Sequence, residues 1–253
     1  MTLGIREDRL SASKSWTKHV QLAKSVGLDC VELALDKKPA YEWWLPYEKA
    51  LDIPIVGVCA NYWLKEDWIA KDSPTWPIKL THAYVDIAVT CIGALHLQSA
   101  WVLLPCLDAS RVDSDERAVR VLEMVTAIGA PHVAVEWDLT STAALAIVAG
   151  MKTTKPLCYD LGNERSRKNG QLKSLKAIAN LVGYCHLKHR AWGSDVTEHL
   201  PPDEKERIWY RARLDILRSA GFDGPVILET PVAAQPDEVK QDIEAARWIL
   251  GGD

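Results

Sequence analysis

Apolar residues along this chain fall into short runs separated by longer stretches with helical spacing. Leu3 to Arg6 reads as a first strand. Across residues 13–27, Trp16, Val20, Leu22, Ala23 and Val26 share one helical stripe, and Gly27 is placed to stop the helix. Residues 28–35 form a second apolar run, with Glu32 near its end, where it either faces a site or pairs with a neighbour. Residues 40–51 are rich in Trp and Tyr and contain Pro46, which predicts a short or broken helix. Residues 53–61 read as a third strand. The segment 62–77 carries Trp63, Trp68, Trp76 and two prolines, and is too long for a minimal loop. It is expected to serve as a lid, because loops that follow barrel strands lie at the active-site face.

The second part of the chain repeats the same rhythm. Residues 80–97 predict a long helix, with Ala83, Ile87, Ala88, Cys91 and Leu95 at helical spacing. Strand four is expected over 99–105, a helix over 114–128, strand five over 132–137, a helix over 140–150 and strand six over 155–160. The polar residues 163–170 read as a loop, 172–181 begin as a helix, and 182–188 form strand seven. A helix over 203–220 is expected to turn Ile208, Leu214, Ile216 and Leu217 inward. Strand eight (225–229) and a final helix (236–250) close the chain. Strands and helices alternate through about eight units, with no linker rich in Gly, Ser or Pro. The expected fold is therefore α/β, a single (β/α)8 TIM barrel spanning 1–253. Neither a G-x-G-x-x-G nor a P-loop follows the first strand, which weakens a doubly wound sheet.

Composition narrows the function classes. The 253 residues are 48% hydrophobic and 25% charged, an ordinary globular balance. A net charge of −4 speaks against a nucleic-acid surface, which usually carries a basic excess. No apolar run reaches the ~18 residues of a membrane span, and the N-terminus lacks a signal-peptide core. Cys30, Cys59, Cys158 and Cys185 sit inside apolar runs as small hydrophobes, and no CxxC pair occurs, so a cytoplasmic protein is expected. The chain has 11 Trp and 7 Tyr against one Phe. Trp offers a flat apolar face and one N–H donor, which suits a sugar ring, although most such residues simply pack cores.

Four strand-like runs end in groups that bind metal. They are H-V-A-V-E-W, ending at Glu136; P-L-C-Y-D, at Asp160; V-G-Y-C-H-L-K-H-R, at His186; and P-V-I-L-E, at Glu229. In a closed barrel the C-terminal ends of strands five to eight ring one mouth, with neighbours ~4.8 Å apart. Any one of these residues alone would be read as an ion-pair partner, a turn cap or a core histidine. All four on successive strand ends predict one metal site. Its oxygen and imidazole ligands suit Mn²⁺, with Co²⁺, Mg²⁺, Fe²⁺ or Zn²⁺ as alternatives to it, better than Ca²⁺. His189, His132 and His96 lack this pattern and are expected to be structural. Lys188 and Arg190 are candidates to orient a hydroxyl, carboxylate or phosphate, and Trp137 and Trp192 are candidates for a sugar-facing wall.

The stretch G-F-D-G-P-V-I-L-E at 221–229 resembles the final strand of the xylose isomerase-like TIM barrels, the sugar phosphate isomerase/epimerase superfamily that also contains endonuclease IV. The D-x-G-x turn at 160–163, the H-x-K at 186–188 and the Glu that ends strand five resemble the same family. The resemblance implies that Glu136, Asp160, His186 and Glu229 occupy metal-ligand positions, and that Glu136 and Glu229 form the pair that moves protons. It also implies substrate contact at the position of Asn163, often His in the family. His189 stands where the family often has Asp. Homo-oligomers are common among such proteins.

The chemistry implied is proton abstraction beside a carbonyl. A divalent ion stabilises the enediolate of a keto-sugar, one carboxylate removes the proton, and the other returns it. Isomerase or epimerase activity is the leading expectation. Its main rival is elimination β to a carbonyl, by a dehydratase or keto-glycoside lyase. Phosphodiester hydrolysis and a non-catalytic binding barrel rank lower.

Overall fold

Eight short parallel strands close into a barrel in sequence order, β1 through β8, with β8 returning to β1. The computed structural model describes residues 1–9, 16–49, 52–62, 76–99, 101–106, 133–137, 155–166, 172–194, 196–232 and 234–251. The strands are β1 (Leu3–Arg6), β2 (Cys30–Ala34), β3 (Ile55–Cys59), β4 (Trp101–Cys106), β5 (Val133–Trp137), β6 (Leu157–Asp160), β7 (Val182–Leu187) and β8 (Val226–Leu228). Each lies within or beside the run that predicted it. Among the described residues the helices are α1 (Trp16–Ser25), α2 (Leu45–Glu48), α3 (Trp76–His96), α4 (Leu161–Ser166), α5 (Leu172–Ile178), α6 (Glu204–Ser219) and α7 (Pro236–Ile249). The expected helices over 114–128 and 140–150, and the lid residues 63–75, lie outside the described residues. No helix among the described residues is long and apolar enough to cross a membrane.

Two expectations are corrected. Residues 163–166 are not loop but the body of α4, because Asp160 caps the helix: its Oδ1 accepts from the Asn163 amide at 2.8 Å. Trp76 and Pro77 belong to α3 rather than to a lid. Two facings also differ. Ile208 is 50% exposed, and the inner face of α6 is Tyr210, Arg213, Leu214 and Leu217, the i, i+3, i+4, i+7 stripe. Leu95 of α3 is exposed, whereas Ala83, Ile87, Thr90 and Ala94 are buried.

Strand alternation divides the core in two. One set of apolar side chains faces the helices and the other fills the barrel. The inner layer is Cys30, Cys59, Leu103, Ala134, Cys158, Tyr184 and Ile227. Tyr184 spans the interior toward β3, where a Cβ added to Gly57 would lie 2.5 Å from its hydroxyl. Glycine at this position makes room for the ring. The next inward positions, two residues further along the strands, are Glu32, Glu136, Asp160, His186 and Glu229. The apolar layer thus forms the floor of a polar mouth.

Candidate active site

The four predicted ligands converge. Glu136, Asp160 and His186 bring one ligand atom each within 4.8 Å of one another, and so do Glu32, His186 and Glu229. His186 belongs to both sets and is wholly buried. Its Nδ1 lies 3.6 Å from Glu136 Oε1 and 3.5 Å from Glu229 Oε1, while its Nε2 sits 2.9 Å from Glu32 Oε2. A carboxylate only accepts, so Nε2 carries the proton there.

Two cations thread through the cluster. Arg6, at the end of β1, donates from Nη1 to Glu229 Oε1 at 2.8 Å, and its Nε lies 3.2 Å from Asp8. Lys188, one residue past β7, places its ammonium 2.5 Å from Asp160 Oδ2 and 3.0 Å from Glu229 Oε2. Lys188 is fixed in turn by α4, since a Cβ on Gly162 would collide with Lys188 Cγ and lie 2.9 Å from its carbonyl oxygen. Asn163 donates from Nδ2 to Glu136 Oε1 at 3.3 Å.

The charges set one another's protonation. Burial alone would raise the Glu136 carboxyl, but His186 and Lys188 outweigh it and hold it near about 2. Glu229 is likewise held well below the usual range against its burial by Lys188, Arg6 and His186. Asp160 goes the other way: burial, with Glu136 and Glu229 nearby, lifts it to about 6 despite Lys188. Burial would lower the His186 imidazole, yet the Cys158 sulfur and the carboxylates of Glu32, Glu136 and Glu229 hold it well above its ordinary value.

This donor set fits a divalent cation. The buried Nδ1 of His186 has no hydrogen-bond partner, although it lies between two carboxylates. With His186 neutral, the four buried carboxylates Glu32, Glu136, Asp160 and Glu229 face two fixed cations, Arg6 and Lys188. The remaining charge of minus two is what one M²⁺ ion cancels. Oxygen and imidazole donors are those of Mn²⁺, Fe²⁺, Co²⁺ or Zn²⁺ sites.

The other predicted residues divide. Lys188 and Asn163 are in the cluster. Arg190 is partly buried beside the mouth, and its buried Nε has no hydrogen bond. Trp192 is 62% exposed, in a loop pinned where His189 and Glu198 form an antiparallel bridge. Trp137 ends β5, and its side chain lies outside the described residues. His189 accepts or donates a hydrogen bond at 2.8 Å with the Tyr210 hydroxyl, and His96 stacks on Trp44 with centroids 4.7 Å apart, both structural contacts. His132 is outside the described residues. The sequence reading did not assign two site residues, Glu32 and Arg6. Part of their signal was present: Glu32 is the one charge within the apolar strand β2, and Arg6, which ends β1, is the first of the charged run 6–9.

Solved structures share this architecture. The D-allulose 3-epimerase of Methylomonas sp. in complex with D-allulose aligns with TM-score 0.71 and 13% identity over 100% of this chain and 97% of its own. The 3-keto-D-glucoside 4-epimerase of E. coli gives 0.69 and 13% over 99% of both chains. A xylose isomerase domain protein from Planctomyces limnophilus gives 0.68 and 14%, over 99% and 96%. The chain therefore shares the (β/α)8 barrel fold of these proteins. Its sequence matches no protein-family model and no curated protein.

Proposed function

We propose that the protein is a divalent-metal-dependent isomerase or epimerase of keto-sugars. The observation that carries this reading is the pair of buried carboxylates, Glu136 and Glu229, on either side of the unpartnered His186 Nδ1. Glu136, Asp160, His186 and Glu229 would hold the ion, with Mn²⁺ the first choice. When bound, it would act as a Lewis acid toward the substrate carbonyl and so make the C–H beside that carbonyl more acidic. The fold it shares with two sugar epimerases supports the substrate class.

The protein's own groups would do the rest. Glu136 and Glu229 reach the mouth from β5 and β8, so they approach a bound sugar from different sides. One would remove the proton beside the carbonyl, and the other would deliver a proton to the opposite face or the adjacent carbon. Arg6 and Lys188 keep Glu229 charged and in place. Asn163 orients Glu136 through its side-chain amide. Arg190, Trp137 and Trp192 are the proposed outer contacts for the sugar.

Elimination β to a carbonyl is the second reading, favoured by one observation. The Lys188 ammonium is a fixed positive charge inside the cluster, held by Asp160 and Glu229, and would stabilise the charge on a departing oxygen. One assay separates the two. Keto-hexoses and 3-keto-glycosides are incubated with the Mn²⁺-loaded protein in D₂O. A stereoisomer or aldose carrying deuterium supports the first reading, and an enone or freed aglycone the second. Glu136→Gln and Glu229→Gln should each lower turnover about 10²–10⁴-fold with unchanged circular dichroism. Full turnover in both variants sinks the assignment.

A further inference from the structure

We propose that Glu32 is a positioning residue for the metal centre: it accepts the Nε2 proton of His186 and so turns the Nδ1 lone pair toward the ion. The inference rests on the metal-dependent reading above and assigns a role to a strand, β2, outside the β5–β8 arc that supplies the ligands. The two ring nitrogens point in opposite directions. Nε2 is occupied by Glu32 Oε2 at 2.9 Å, which leaves Nδ1 facing Glu136 and Glu229. For Glu32 to serve as a ligand through Oε2, Nε2 would have to give up that bond.

The position of Glu32 is itself fixed. The residue is wholly buried, inward-facing on β2 above Cys30, and level with Gly57 of β3 in the ladder. Its second oxygen lies 3.9 Å from Arg6 Nε, so the residue also faces the cation that holds Glu229. A ligating imidazole that donates its other N–H to a carboxylate has a fixed tautomer and a more basic ligand nitrogen. Rotation of the ring about χ2 would trade a buried charge-assisted hydrogen bond for none, which keeps a single orientation dominant.

Two variants separate the hydrogen bond from the charge. Glu32→Gln keeps the reach and loses the charge, whereas Glu32→Asp keeps the charge and draws the acceptor back by one methylene. The full chain, labelled with ¹⁵N-histidine, is titrated with Mn²⁺ for affinity and with Zn²⁺ for nuclear magnetic resonance. In the wild type the zinc form should show His186 with its proton on Nε2, protected from exchange. Glu32→Asp should bind Mn²⁺ about ten- to a hundredfold more weakly and lose that protected resonance, whereas Glu32→Gln, whose amide oxygen still accepts from Nε2, should keep the resonance and bind more tightly than Glu32→Asp, with metal-free melting curves showing both folded. Wild-type affinity in Glu32→Asp would reduce the effect to charge and overturn the proposal, as would a zinc form with the proton on Nδ1. Failure of the wild type to take up either ion would remove the metal-dependent reading itself, a result distinct from equal affinity across the three proteins.

Discussion

Replacing Lys188 with Met removes the cation that Asp160 and Glu229 share while keeping most of the buried stem. Lys188 is 3% exposed, and its ammonium meets both carboxylates within 3.0 Å. Removing one partner of a buried ion pair costs about 3–5 kcal/mol, because the charge left behind is desolvated and uncompensated. At about 2–4 °C per kcal/mol for a chain of this size, the metal-free variant should melt about 6–20 °C lower at pH 8. The deficit should depend on pH in a defined direction. Asp160 is lifted to about 6 by burial and by Glu136 and Glu229, above its unfolded value. A carboxyl whose folded pKa is raised costs stability as pH climbs from the unfolded value through the folded one. Loss of Lys188, the cation opposing that rise, moves the folded value higher still. The variant should therefore be closer to wild type at pH 5 than at pH 8. Thermal melts of both metal-free proteins at the two pH values, followed by circular dichroism, test this. A deficit below about 1 kcal/mol, the range of an exposed ion pair, or one equal at both pH values would refute the picture of Lys188 as the buried counterion of Asp160.

Other consequences are as direct. Metal uptake should weaken as pH falls through about 6, where Asp160 takes a proton, and binding at pH 7 should release a proton from His186, read as a buffer-dependent titration enthalpy. Gly162→Ala should lower metal affinity more than it lowers stability, because its Cβ would press on Lys188 rather than on the core; equal affinity in paired titrations contradicts this. Arg213→Met strands Glu164, which it contacts at 2.9 Å, and should destabilise by about 3–5 kcal/mol in urea melts without changing metal stoichiometry.

Most of the barrel was legible because its strands are buried on both faces and so appear as short apolar runs with abrupt ends. Those abrupt ends also singled out Glu136, Asp160, His186 and Glu229 as candidates, and the barrel brings them to one mouth. What the sequence did not reveal depends on partners distant in the chain. Glu32 meets His186 across 154 positions, and Arg6 meets Glu229 across 223. A single charge at a strand end looks the same whether it faces a neighbour or a site. Residues 163–166, the body of α4, have the pattern of a loop because they are polar. A cap from Asp160 and packing of Gly162 against Lys188 stabilise the helix, and neither is a hydrophobic pattern. Ile208 shows the converse case, in which an apolar residue was assigned inward although the α6 stripe is set by Tyr210 and Arg213. Arg213 stays buried by lying 3.4 Å over the Trp209 ring and pairing with Glu164.

The most direct test of the account is the number of divalent ions bound per chain. The protein is stripped with chelator, saturated with Mn²⁺, desalted and measured by elemental analysis, beside His186→Ala and Asp160→Asn. One ion is expected per wild-type chain, and near zero in both variants. A wild type that retains no Mn²⁺, Co²⁺ or Zn²⁺, or variants that retain as much as the wild type, would contradict it.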